Sequence, residues 1–72
     1  MKGTEFIRKV RRRGGQVGTP VKIVAARGKG DHVTLYYGDR FTIVGDQRKE
    51  LKTGTMHAML RQLGLTLKDL EG

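Results

Sequence analysis

Hydrophobic residues near the start of the chain recur at helical spacing. Phe6, Ile7 and Val10 stand one and three positions apart, which places them on one face of an α-helix. Thr4 and Glu5 precede them, and a hydroxyl cap followed by an anion is typical of a helix N-terminus. The pattern therefore predicts a first helix that begins at Thr4.

Glycines interrupt this helical pattern, and β-branched residues follow them. Gly14 and Gly15 are expected to end the helix, and the glycine-rich residues 14–20 are expected to form a loop. Residues 21–27, with the sequence VKIVAAR, predict a first strand.

Residues 32–45, HVTLYYGDRFTIVG, predict a β-hairpin that turns at Gly38 and Asp39. With a two-residue loop, Leu35 would oppose Thr42, so apolar and polar residues would share a face. An odd-numbered loop, or a bulge near Arg40, instead gathers the apolar residues on one face. That face would carry Val33, Leu35, Tyr37, Phe41 and Ile43. This register is preferred, and it leaves the less apolar face to His32, Thr34, Tyr36 and Thr42.

A second amphipathic helix is expected to begin between Thr53 and Thr55. Its apolar residues recur at i, i+3, i+4 and i+7 and are Met56, Met59, Leu60 and Leu63. Gly64 suits the left-handed residue that follows a helix, with Leu65 folding back on the last turn. Residues 66–69, TLKD, resemble a capping box and predict a final short helical turn.

The order of these elements predicts an α+β fold in a single domain that covers residues 1–72. A helix, three antiparallel strands, a helix and a short C-terminal helical turn follow one another. Two amphipathic helices can cover only one face of such a sheet. The other face is expected to meet solvent, RNA or protein, and the preferred register places His32 on it.

Charge narrows the class of partner. Fifteen Lys and Arg against seven Asp and Glu give a net charge of +8, which attracts polyanions. Nucleic acid is the first candidate partner and an acidic protein the second. No apolar run approaches the ~20 residues of a membrane span and the first residues do not resemble a signal peptide, so a cytoplasmic protein without a membrane partner is expected. The chain has no cysteine and only two separated histidines, so we expect neither disulfides nor a structural metal, and no cofactor.

The segment RGKGDH, residues 27–32, is the candidate for chemistry. A histidine can accept a proton at neutral pH, so His32 could deprotonate a ribose 2′-hydroxyl as a general base. Arg27 and Lys29 could stabilise the phosphate, while Gly30 would let the backbone approach RNA closely. The alternative is a solvated loop histidine, which the composition of the segment alone favours.

Further cations could complete an RNA-binding surface, or could simply be solvated. They are Arg12 in the first helix and Arg48, Lys49 and Lys52 before the second. His57 is expected to be a surface histidine. The chain offers neither a Ser-His-Asp or Cys-His set nor a suitable pair of carboxylates, so protease, esterase and glycosidase activities are excluded.

Three segments, taken in order, resemble the HicA family of bacterial toxins. They are KGTEFIRKV at residues 2–10, KGDH at 29–32 and KELKTGTMHAMLRQLGL at 49–65. The resemblance implies a fold like a double-stranded-RNA-binding domain and a small ribonuclease that cleaves mRNA without a metal. It also implies a HicB-type antitoxin as protein partner, and it assigns the family's essential histidine to His32 and the preceding glycine to Gly30.

Three features depart from the family pattern. Asp31 stands where the family usually has serine, and Val33 and Gln47 occupy the places where many members carry a second histidine. The connection before the first strand is also longer than usual. A non-catalytic RNA-binding module therefore stays open as the alternative to a ribonuclease.

Overall fold

The computed structural model describes residues 1–25, 32–45 and 47–71. Within these ranges the helices are α1 (Gly3–Val17), α2 (Thr53–Leu63) and α3 (Leu67–Leu70). The strands are β1 (Val21–Ala25), β2 (Val33–Tyr37) and β3 (Arg40–Val44), and they form an antiparallel sheet in the order β1-β2-β3. The α+β order predicted from the sequence is confirmed.

The first helix starts earlier than the sequence predicted. Its N-cap is Lys2, so the prediction that Thr4 caps the helix was wrong. Backbone carbonyls of the connection between β3 and α2 bind the free N–H groups of the first turn instead. The Gly3 N–H donates to the Lys49 carbonyl at 3.4 Å and the Thr4 N–H donates to the Gln47 carbonyl at 3.0 Å. Tertiary hydrogen bonds thus replace the side-chain cap.

The first helix also ends later than predicted. Gly14 and Gly15 lie within α1, and the left-handed residue that ends it is Gly18, with φ of 73°. A Cβ atom on Gly14 would lie 2.4 Å from Cγ2 of Val21 and 2.7 Å from the Thr19 carbonyl oxygen. Gly14 therefore permits close approach of the helix to β1 rather than ending the helix, and the predicted loop shrinks from residues 14–20 to residues 18–20.

The helices pack on one face of the sheet. Helix α1 contacts β1 and β2, α2 contacts β3, and α3 contacts α1. The predicted apolar faces of both long helices enter the core, with Met56 partly buried at its edge. The buried residues of this core are Phe6, Ile7, Val10, Val33, Leu35, Val44, Met59, Leu60, Leu63, Leu65 and Leu70.

The hairpin turns at Gly38 and Asp39 as predicted, but the preferred odd-numbered register was wrong. The loop has two residues, and Leu35 pairs with Thr42. Gly38 has a left-handed φ of 63°, which suits the first loop position of a type II′ turn. This turn matches the twist of the strands and sets an even register.

The even register changes which β3 residues are buried. Thr42 and Val44 face the helices, whereas Phe41 and Ile43 remain 54% and 57% exposed. Thr42 is only 1% exposed, and its hydroxyl donates a hydrogen bond to Oε1 of Gln62. Because this hydrogen bond satisfies the hydroxyl, a threonine is tolerated in the core.

The predicted endings of the second helix are confirmed. Gly64 has φ of 73°, and the Leu65 N–H donates to the Leu60 carbonyl at 2.8 Å, as in a Schellman motif. Thr66 and Asp69 form the capping box of α3, in which the Thr66 N–H donates to Oδ2 of Asp69 at 2.9 Å. This backbone hydrogen bond, reinforced by the Thr66 hydroxyl and by Arg13, holds the pKa of Asp69 below its ordinary value of 3.8 despite an opposing effect of desolvation.

Candidate functional site

The sheet face opposite the helices, here called the open face, is formed by alternate residues of the three strands. The strand register aligns them in two rows across the sheet. The first row is Lys22, Tyr36 and Phe41, and the second is Val24, Thr34 and Ile43. Most of these side chains are exposed, with Thr34 half-buried. The open face is therefore an accessible surface that is both apolar and aromatic.

An aromatic pair occupies the middle of the first row. The ring centroids of Tyr36 and Phe41 are 5.8 Å apart, and the ring planes are inclined by 44°. Cross-strand pairing of the two residues sets this distance. Sequence reasoning placed Tyr36 on this face but placed Phe41 in the core. The Gly38–Asp39 dipeptide was the signal that could have located Phe41 correctly, since such a dipeptide favours a two-residue turn.

Grooves flank this aromatic pair on both sides. On the β1 side, a depression of about 360 Å³ is lined by Pro20, Lys22, Val24, Tyr36 and Gly38. On the β3 side, a groove of about 620 Å³ runs from Phe41 and Ile43 over the strand edge to α2. The two rings thus form a ridge with a hollow on either side.

His32 lies next to the open face. It precedes β2, is exposed, and continues the alternation that puts Thr34 and Tyr36 on this face. A Cβ atom on Gly45 would lie 3.8 Å from Nε2 of His32, so the imidazole lies beside the backbone that follows β3. A side chain at position 45 would therefore contact the imidazole.

The remaining predicted site residues fall into three groups. Arg27, Lys29 and Gly30, together with Asp31, lie outside the described residues. Arg48, Lys49 and Lys52 are exposed and lie between β3 and α2. They follow Gly45, the residue beside the His32 imidazole, in the sequence. The third group is Arg12 alone.

Arg12 is bound to the helical layer. Its Nη2 donates to the Leu70 carbonyl at 3.2 Å, and the neighbouring Arg13 forms an ion pair with Asp69 at 3.3 Å. Both side chains therefore attach α1 to α3. The exposed cations of α1 include Arg8 and Arg11, and α1 packs on the opposite side of the sheet from the open face.

Within the described ranges, no helix is long and apolar enough to cross a lipid bilayer. Nor do three His, Asp or Glu side chains of these ranges gather as potential metal ligands. The described side chains instead offer an exposed imidazole, an aromatic ridge and several cations.

Comparison with protein-family models, with curated proteins and with solved structures finds no match to this chain.

Proposed function

We propose that this chain is a HicA-type ribonuclease toxin in which His32 is the general base that initiates cleavage of mRNA. The observation that carries the proposal is the position of His32, an exposed imidazole beside the open face of a domain with a net charge of +8. The motifs that resemble the HicA family add support, because they single out the same histidine.

The proposed reaction requires a base and cations. His32 takes the proton of a ribose 2′-hydroxyl, and the resulting oxygen attacks the adjacent phosphorus. The bond from phosphorus to the 5′-oxygen breaks, leaving a 2′,3′-cyclic phosphate, and the departing 5′-oxygen takes a proton from water. Arg27 and Lys29 are proposed to stabilise the charge on the phosphate. Arg48, Lys49 and Lys52 are proposed to bind the neighbouring RNA backbone.

The test compares two histidine variants after induction in a bacterial host. His32→Ala is expected to abolish growth arrest and to slow RNA cleavage by the purified protein about 10²- to 10⁴-fold, the usual contribution of a general base. The matched control is His57→Ala, which removes the other histidine, an exposed residue of α2, and is expected to remain toxic. Equal toxicity of wild type and His32→Ala would remove His32 from the mechanism.

A non-catalytic RNA-binding module is the alternative outcome of the same experiment. It predicts salt-dependent RNA binding with intact RNA after prolonged incubation in both wild type and His32→Ala. Thermal unfolding of each variant, followed by circular dichroism, serves as the folding control.

A HicB-type antitoxin is the proposed protein partner, and the bacterial cytoplasm is the proposed compartment. Both follow from the resemblance, and the positive charge adds support for an acidic partner. A small open reading frame adjacent to the gene is expected to restore growth when it is expressed together with the toxin. Continued growth arrest would reject that partner without affecting the ribonuclease assay.

A further inference from the structure

We propose that the Tyr36–Phe41 pair is a stacking platform for unpaired nucleobases, so that the open face selects single-stranded over duplex nucleic acid. This inference rests on the proposed function for the identity of the polymer, RNA. It assigns to the open face a binding role that is separate from the chemistry of His32.

The exposure of the two rings is the first support. Phe41 is 54% exposed and Tyr36 is 37% exposed. A strand position that faces solvent does not require an aromatic residue. Large apolar side chains that cluster on a surface usually mark an interaction site. Their tilted arrangement, with centroids 5.8 Å apart, leaves ring surface accessible above the sheet.

Charge distinguishes nucleic acid from other occupants of an apolar face. None of the six residues of the open face is a carboxylate, and Lys22 stands in the same row as the two rings. Asp39 lines the groove beside Phe41, together with the cationic Arg40. A base stacked on the rings would thus have a cation available for its phosphate. Aromatic side chains combined with cations are the usual components of single-strand binding surfaces.

The position of His32 connects this platform with the proposed cleavage. His32 and Tyr36 are four residues apart in the sequence, which corresponds to about 13 Å along an extended strand. Thr34 and Ile43 lie between them on the open face. A strand stacked on Tyr36 and Phe41 could therefore extend along the sheet to the imidazole. Stacking requires unpaired bases, because in a duplex the base faces are occupied by neighbouring bases.

The binding test uses a labelled single-stranded oligodeoxynucleotide of about 12 nucleotides, a length within the usual range of single-strand sites. Its lack of 2′-hydroxyl groups prevents the proposed cleavage. Phe41→Ala is expected to weaken binding about 5- to 100-fold, as is typical when one stacking ring is removed. Ile43→Ala is the comparison variant, since Ile43 is equally exposed on the same face of the same strand but has no ring on which a base could stack, so its loss of affinity is expected to be clearly smaller than that of Phe41→Ala.

A second measurement reports on the ring directly. The chain contains no tryptophan and has only Tyr36 and Tyr37 as tyrosines. In the Tyr37→Phe variant, the fluorescence of Tyr36 is expected to be quenched on addition of an unlabelled single strand, and to change less with the matching duplex. Circular dichroism of each variant verifies that the fold is retained.

Three results would overturn the inference. They are unchanged affinity of Phe41→Ala, equal losses in Phe41→Ala and Ile43→Ala, and unquenched Tyr36 fluorescence. Equal losses would indicate that general apolar contact, rather than stacking on the rings, holds the single strand. Because the probe cannot be cleaved, failure of the platform leaves the His32 assay unaffected, and failure of that assay leaves the platform standing.

Discussion

Gly14 shows how a single residue can be essential for packing while contradicting the local sequence signal. Two adjacent glycines favour a helix end, yet α1 continues through both to Val17. The reason is tertiary: β1 begins against the helix at Gly14, where a side chain would collide with Val21 and with the Thr19 backbone. A Cβ atom on Gly15, by contrast, would meet no neighbouring element within 4 Å.

This difference predicts opposite effects for two neighbouring alanine substitutions. Gly14→Ala is expected to lower the free energy of unfolding by about 1–3 kcal/mol, as overpacking does. Gly15→Ala is expected to raise it by roughly 0.5–1 kcal/mol, because alanine favours the helix over glycine. Urea unfolding followed by circular dichroism measures both. Stabilisation by Gly14→Ala would show that the contact with β1 relaxes easily.

His32 and Phe41 show how far single residues of the site could be predicted. Alternation along β2 sufficed to place His32 beside the open face, because that prediction depends only on its own strand. Phe41 was assigned to the wrong face, because its place depends on the register between two strands. For Arg12 the sequence predicted an RNA contact but not the hydrogen bond to the Leu70 carbonyl, because that bond joins residues 58 positions apart and leaves no local signal.

At the scale of elements, the endings of α2 and α3 were predictable and the pairing of β2 with β3 was not. The Gly64 ending and the Thr66 capping box arise from interactions within a few residues. For the hairpin, apolar clustering favoured an odd-numbered register, whereas the geometry of a two-residue turn favoured an even one. Turn geometry determined the outcome, because Gln62 satisfies the hydroxyl that Thr42 brings into the core.

The register predicts unequal costs for the same substitution at adjacent residues of β3. Val44→Thr introduces a hydroxyl at a fully buried position and is expected to destabilise the protein by about 1–3 kcal/mol. Ile43→Thr changes an exposed, β-branched residue and is expected to cost within about 0.5 kcal/mol. Thermal unfolding compares the two variants, and the odd-numbered register would require Ile43→Thr to be the more damaging.

At the scale of the whole molecule, the fifteen Lys and Arg residues do not all have the same role. Arg13 pairs with Asp69, Lys9 pairs with Glu5 at 3.5 Å, and Arg12 binds a backbone carbonyl. The exposed Lys49 and Lys52 belong to the connection between β3 and α2. The cations that attach α1 to its neighbours therefore differ from those proposed to bind RNA.

Salt dependence is expected to separate these two roles. For a single-stranded oligodeoxynucleotide, the logarithm of the binding constant falls with the logarithm of salt concentration by about 0.7 per phosphate contact. The double variant Lys49→Gln, Lys52→Gln is therefore expected to reduce the slope by about 1.4, with thermal stability unchanged.

Arg12→Gln provides the contrast for this measurement. It is expected to lower thermal stability more than the double variant does, because it removes a hydrogen bond between α1 and the end of α3. Fluorescence anisotropy at several KCl concentrations gives the slopes. An unchanged slope in the double variant would indicate that the phosphate contacts lie on another surface.

The attachment of α1 to α3 also has a consequence for the timing of biosynthesis. Helix α1 leaves the ribosome well before its partners Asp69 and Leu70, because Arg12 and Leu70 are 58 positions apart in the sequence. The apolar face of α1, with Phe6 and Val10, is therefore synthesised long before Leu70, which belongs to the same core. A nascent chain that is interrupted before α3 therefore lacks the contacts that attach α1 to α3, and we expect it to be less stable than a chain that includes α3.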